Sequence, residues 1–220
     1  YPGFYAAQSA VDAHPALKAV APMAPVTDWF VGDDFHHNGA FFLADAFEYA
    51  TMMESSKERK AFAFDEPDTY TWYLKLGSLA HVNEKYLHGT IPTWNDFSSH
   101  PTFDAFWQKQ AAAPFLNRVT VPTLNVAGWW DQEDFYGPIR IYELLEKYDP
   151  EHMNYLVVGP WNHGGWNSPT GEKLGAIDFG SPTSDTFRKD IEARWFAHWL
   201  KDQSTLKLAE ATTFEAGANK

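Results

Sequence analysis

The sequence predicts an α/β fold, and three observations carry that prediction. Two short apolar runs, residues 119–127 and 153–158, have the length and composition of buried strands. Between them, residues 138–148 read as a helix, with Ile139, Tyr142, Leu145 and Tyr148 on one stripe and Pro138 suited to the first turn. Strand, helix and strand in this order make a βαβ unit. Each strand also runs into a loop rich in polar chemistry. Gly128-Trp129-Trp130-Asp131-Gln132-Glu133-Asp134 follows the first, and Gly159-Pro160-Trp161-Asn162-His163 follows the second.

The other elements fall around this unit. Residues 1–10 read as a helix, where small Ala6, Ala7 and Ala10 let it lie against a sheet and Gly3 permits close approach of a neighbouring strand. Residues 17–24, an apolar run between His14-Pro15 and Pro25, read as a further buried strand. Beyond residue 28 the β–α rhythm stops. Helical segments around 39–54, 68–86 and 101–112 are divided by Glu66-Pro67, Ile91-Pro92 and His100-Pro101. An insertion of that length, residues 29–115, has the form of a helical cap that shapes a pocket and excludes water. The core resumes over 116–205. A glycine-rich loop after His163 leads to residues 184–200, where Phe187, Ile191, Trp195 and Trp199 recur at helical spacing and predict a last helix packed on the sheet.

Composition narrows the function classes. With 45% apolar and 21% charged residues in 220, the chain can bury one sizeable core, or one core with a subdomain on it. A formal net charge of −12 argues against nucleic acid or an anionic membrane surface as partner, since both call for a basic patch. It is compatible with a cationic substrate, but such a balance more often reflects an ordinary solvated acidic surface. The absence of cysteine excludes disulfides, thiolate metal sites and a cysteine nucleophile. No apolar run approaches the length of a membrane span, and there is no internal repeat.

A carboxylate and an imidazole just past two strand ends, acid before base, is how an α/β-hydrolase carries two members of a triad whose serine comes first. That serine sits in a nucleophile elbow of strand, strained turn and helix. No serine here has such a context: Ser9 lies inside the first predicted helix. Residues 1–10 read as the elbow's own helix, so the nucleophilic serine is expected immediately before Tyr1, and the chain alone is expected to be inactive. Tyr1-Pro2-Gly3 matches the last three positions of the G-x-S-Y-x-G elbow of the CocE/NonD serine hydrolases, and the stretch from His14 to Pro22 is typical of that group. The chain therefore resembles these X-Pro dipeptidyl-peptidase-like (S15) enzymes. Gly32-Asp33-Asp34-Phe35 and Trp130-Asp131-Gln132-Glu133-Asp134 bring it nearest to the α-amino acid ester hydrolases. The resemblance covers essentially the whole chain. It implies the C-terminal part of an α/β-hydrolase core with an inserted helical cap, ending at 206–220 on the start of a jelly-roll β domain.

On this resemblance His163 is the general base and then acid, because imidazole titrates near neutrality and Gly164 and Gly165 leave room around the ring. Asp131 would fix its tautomer and stabilise the imidazolium; its plain alternative is a helix N-cap. The backbone N–H of Tyr1 is expected in the oxyanion hole. Asp34, Glu133 and Asp134 match the three carboxylates with which α-amino acid ester hydrolases hold the substrate's α-ammonium group. An amine cation entering a partly buried site needs acceptors in place of water, and clustered carboxylates repel one another until a cation arrives. Ordinary acidic surface is the alternative. Trp129, Trp130, Trp161 and Trp166 flank the two loops, and the first three are candidate walls of an acyl pocket, with core packing as the alternative.

His36-His37 invites a metal reading, but adjacent residues rarely point at one ion. No metal and no organic cofactor are expected. The resemblance implies acyl-enzyme chemistry on small α-amino acid esters and amides, with transfer to water or to another amine such as a β-lactam nucleus. It also implies a homo-oligomer, tetrameric by analogy, and a periplasmic or secreted location. Two alternatives stay open: an X-Pro dipeptidyl-peptidase or carboxylesterase on the same scaffold, and a non-catalytic binding fragment.

Overall fold

The computed structural model describes residues 1–201 and 206–215, and these form two units, Tyr1–Asp28 with the chain from Ala111 onward, and Trp29–Gln110. The first unit opens with α1 (Pro2–Ser9), which starts at a proline whose fixed φ and missing N–H suit the first helical turn. Its residues Gly3 and Ala7 are buried. A Cβ at Gly3 would collide with the carbonyl oxygen of Met23, so glycine is required for this approach.

Residues 17–24, expected as a buried strand, run parallel to the strand at 123–128 but not as a continuous strand. Val20 N donates to Pro122 O at 3.0 Å and Val20 O accepts from Leu124 N at 2.9 Å; farther on, Pro22 O accepts from Val126 N at 3.0 Å and Ala24 N donates to Val126 O at 2.9 Å. Pro22 has no N–H to complete the rung between them. Pairing is therefore reduced to the isolated bridges Val20–Thr123 and Met23–Val126.

The unit Trp29–Gln110 begins with a small antiparallel sheet of β1 (Gly32–Asp33), β2 (His36–His37) and β3 (Ala40–Phe41). The β2–β3 turn is Asn38-Gly39, with φ of 49° and 81°, the left-handed pair that a tight hairpin requires. Because residues 40–41 pair with β2, the helix expected from 39 starts later, as α2 (Leu43–Glu54). The segment expected to be helical over 68–86 is split. α3 (Thr69–Leu76), capped by Asp68 accepting from Thr71 N, ends at Gly77 with φ of 75°, and a π-helical turn, Asn83–Leu87, follows. Pro92, read as a break, instead sits in the first turn of α4 (Pro92–Ser99), and α5 (Ala105–Gln108) is short. Phe47, Trp72, Leu76, Val82 and Trp94 form this unit's core.

In the first unit, β4 (Thr123–Gly128), α6 (Tyr136–Leu145) and β5 (Asn154–Gly159) make the predicted βαβ unit, with parallel register running from Thr123↔Asn154 to Gly128↔Gly159. The single stripe expected on α6 is two faces. Ile141 and Leu145 pack with Ala7 and Leu116, while Ile139 and Tyr142 lie against Ala127, Leu156 and Val158. Tyr148 is exposed, since the chain tightens into a 3-10 turn after Leu145. The hairpin β6 (Lys173–Leu174) and β7 (Ile177–Asp178) lies in the glycine-rich loop. The last helix is α7 (Thr183–Thr186), a π-helical turn, Phe187–Glu192, and α8 (Ala193–Lys201), burying Phe187, Ile191 and Trp195 against the sheet. β8 (Ala211–Thr213) pairs in parallel with β5 through Leu156↔Ala211. Residues 211–213 are thus a strand of the same sheet, where the sequence places the start of a separate β domain; the remainder of that expectation, 216–220, lies outside the described residues. Among the described residues no helix is long and apolar enough to cross a membrane.

Candidate active site

β4 and β5 end in register at Gly128 and Gly159, so the loops that follow start side by side. They are stitched together by Trp129 N donating to Gly159 O at 2.8 Å and Trp130 N donating to Trp161 O at 3.0 Å. Glycine makes this possible, because a Cβ at 128 would strike the Trp161 carbonyl and one at 159 the Trp161 ring. Asp131 and His163 are brought together as a result. The ring Nδ1 lies 3.0 Å from Oδ2 and 3.2 Å from Oδ1. An ionised carboxylate only accepts, so the proton sits on Nδ1 and leaves a lone pair on Nε2.

The Asp131 side chain is fully buried, whereas that of His163 is 42% exposed. Oδ1 of Asp131 also accepts from the backbone N–H of Glu133 at 2.9 Å and of Asp134 at 3.0 Å. Asp131 thus faces the histidine and accepts from the turn that follows it, but it is not the helix N-cap of its alternative reading, since α6 begins after Phe135. Burial alone would raise its pKa, but hydrogen bonding from His163, the Asp134 N–H, the His163 charge and the Glu133 N–H together hold the carboxyl below the usual carboxylate range.

The same turn directs two more carboxylates to this place. Glu133 Oε2 is 3.9 Å from His163 Nδ1, and Asp134 is buried. One donor atom from each of Glu133, Asp134 and His163 lies within 4.8 Å of the others, and among the described residues this is the set suited to hold a metal ion. The same donors suit an organic ammonium. Asp34, the third predicted carboxylate, is buried at the turn between β1 and β2 in the other unit. Tyr1 stands as the N-cap residue of α1, its carbonyl accepting from Tyr5 N at 3.0 Å.

The tryptophans divide. Trp161 is not a pocket wall: it is 2% exposed, its Nε1 donates to Thr183 Oγ1 at 3.0 Å, and its ring packs on Phe187 and Phe214. Trp129 is exposed and Trp130 half-buried beside Phe179. Trp166 is buried edge-on to the His163 ring, with centroids 5.7 Å apart. His36 is buried with Nδ1 at 2.8 Å from Trp29 O, and His37 is exposed on the opposite face of β2, so the two do not converge. Sequence reasoning missed Thr183 and Ser184, whose hydroxyls bond Gly171 O and Gly165 O at 2.6 and 2.8 Å. No local motif marks them, since tertiary packing alone brings the last helix to this loop.

Residues 1–165 match the family described as X-Pro dipeptidyl-peptidase (S15 family). The chain belongs to this family. Among solved structures it is similar to an aminopeptidase from the marine sediment archaeon Thaumarchaeota archaeon, at 35% identity and a TM-score of 0.91 over 99% of this chain. It is also similar to an α-amino acid ester hydrolase, at 34% identity and a TM-score of 0.90 over 99% of this chain. In each case it spans 36% of the other chain. No match is found among curated proteins. Both structures share with this S15 chain the α/β fold that the sequence predicts.

Proposed function

We propose that this S15 chain supplies the acid and base of a serine hydrolase acting on α-amino acid esters and amides. One observation carries the proposal. The turn at 131–134 sets a buried carboxylate against His163 Nδ1 and gathers the carboxylates of Glu133 and Asp134 beside the same ring. A serine oxygen, expected from the elbow pattern just before Tyr1, attacks the acyl carbon as His163 Nε2 takes its proton. Asp131 stabilises the imidazolium, and the Tyr1 N–H faces the developing oxyanion. The proton then passes to the leaving alcohol or amine. Water or a second amine then attacks the acyl-enzyme as Nε2 takes its proton, and that proton passes to the serine oxygen as the acyl–serine bond breaks. Glu133 and Asp134 accept from the substrate's α-ammonium. Both solved relatives are named for amino substrates, which supports the role given to the carboxylates.

The test compares phenylglycine methyl ester with phenylacetate methyl ester, which lacks only the amine, in a chain carrying the elbow serine. Two charge-assisted hydrogen bonds predict a preference of about 100-fold or more in kcat/KM. Equal rates overturn the role of the carboxylates, and activity in His163→Ala overturns the role of the base. The family description favours a second reading, an X-Pro dipeptidyl-peptidase. Faster cleavage of an X-Pro anilide than of the amino ester would select it.

A further inference from the structure

The loop that carries His163 is fastened to the last helix by side chains outside any motif. Arg188, on the π-helical turn Phe187–Glu192, donates from Nη1 to the carbonyl oxygens of Trp166 at 2.8 Å and Ser168 at 2.6 Å, and from Nη2 to that of Pro169 at 2.9 Å. Ser184 Oγ donates to Gly165 O at 2.8 Å and lies 3.1 Å from Ser168 Oγ. The carbonyl acceptors of both side chains thus belong to the few residues that follow His163. A guanidinium suits this task, because three carbonyls spread along a loop need a planar fork of several N–H groups, whereas an ammonium is a single compact point. Its charge is met by Asp185, 4.0 Å from Nη2.

Trp166 connects this clamp to the imidazole. Its carbonyl is an Arg188 acceptor, and its buried ring meets the His163 ring at 71°. The bond from Nδ1 to Asp131 anchors the imidazole at one edge, and the T-shaped packing of the Trp166 ring restrains its tilt about that bond. A ring displaced by about 1 Å at Nε2 can lower a rate roughly 100-fold without weakening substrate binding.

Taking the hydrolase proposal as its basis, we propose that Arg188, assisted by Ser184, is a positioning residue for His163, holding the loop carbonyls so that Trp166 fixes the imidazole plane. Arg188 acts through Trp166 and touches no reacting atom.

In a chain carrying the elbow serine, Arg188→Ala is expected to lower kcat about 10- to 100-fold with KM changed less than about twofold. Arg188→Lys should recover part of the loss. Arg194→Ala, the same loss of charge at an exposed position of α8, should change neither constant. In NMR spectra of the present chain, the His163 ring signal should pass from one narrow line to a broadened or multiple one in Arg188→Ala and stay unchanged in Arg194→Ala. Ser184→Ala, which removes a single hydroxyl, should move kcat and the ring signal in the same direction by less, and serves if Arg188→Ala does not fold. A folded Arg188→Ala or Ser184→Ala with kcat within about twofold of the parent and an unchanged His163 line overturns the proposal. So does a loss of kcat that only follows the folded fraction. If His163→Ala keeps activity, the hydrolase proposal itself fails; if it is inactive while Arg188→Ala is unaffected, only the positioning role fails.

Discussion

Replacing Asp131 by asparagine turns one carboxylate oxygen into an amide nitrogen, and the local hydrogen bonds determine which one. Oδ1 accepts from the N–H groups of Glu133 and Asp134 at 2.9 and 3.0 Å, so the amide oxygen must take that place; an NH2 there would face two donors. The NH2 then falls at the Oδ2 position, 3.0 Å from His163 Nδ1. It can only donate, so Nδ1 loses its nearer acceptor and keeps only the amide oxygen 3.2 Å away, already shared by two N–H groups, and the tautomer with the proton on Nε2 is favoured. That is the nitrogen meant to receive the serine proton. Forcing this tautomer lowers kcat about 10⁴-fold in such triads, or about 5 kcal/mol at the transition state.

The fold should survive, because size and turn capping are kept. The assay is kcat on phenylglycine methyl ester beside a thermal unfolding curve. A folded variant that loses less than about tenfold refutes the placement of Asp131 as orienter of the base. The unfolding curve has its own signature. Asp131 titrates below its ordinary range in the fold, so its stabilising contribution is complete above the unfolded carboxylate value and is lost as pH falls through the folded one. Asparagine removes that pH-dependent part, and the parent and variant melting temperatures should converge in acid.

Glu133→Gln with Asp134→Asn should lower kcat/KM on the amino ester about 10- to 100-fold and leave the ester without an amine nearly unchanged, read from paired initial rates. Gly128→Ala drives a Cβ into the Trp161 carbonyl that accepts from Trp130 N, and should destabilise the protein by about 1–3 kcal/mol in denaturant titration. Glu146 is pushed up by burial, against the hydrogen bond from Asn154 and with the help of the Glu210 hydrogen bond and the repulsion of Glu210 and Asp149. A raised carboxyl contributes stability that is present below the unfolded pKa and lost as pH rises through the folded one. Glu146→Gln should therefore have a higher melting temperature than the parent at neutral pH and little advantage in acid; parallel curves would contradict it.

The βαβ unit is legible in the sequence because two apolar runs and an amphipathic stretch state their periods without interference. The strand at 17–24 is legible only as far as Pro22, where apolar pattern and hydrogen-bonding capacity disagree and the missing N–H prevails. Asn38-Gly39 carries the strongest short hairpin signal in the chain, yet the apolar residues on either side suit a helix equally well; the left-handed φ of both turn residues decides for the hairpin. Pro92 shows the converse, a residue that ends helices but also begins them. At the candidate site, Asp131 and His163 can be named from their motifs because each stands just past a strand end. Trp161 cannot be placed by its neighbours in the chain, since its partners Thr183, Phe187 and Phe214 come from remote segments. Arg188 is invisible for the same reason.

The turn at 131–134 joins two tasks that depend on different atoms. Orientation of the base uses backbone N–H groups, those of Glu133 and Asp134, which hold Oδ1 of Asp131 and leave Oδ2 to His163. Recognition of an amine, as proposed, uses the side chains of the same two residues. Substitution of those side chains by amides therefore leaves the donors to Asp131 in place and should alter discrimination alone, while asparagine at 131 should alter the chemical step for every ester alike. The same economy brings a constraint. Three carboxylates within four consecutive residues repel one another, and at Asp131 the backbone N–H groups of Glu133 and Asp134 help offset this. On the proposal above, the α-ammonium of an amino ester would add a cation beside these carboxylates and an ester without an amine would add none, so the two esters should differ in rate.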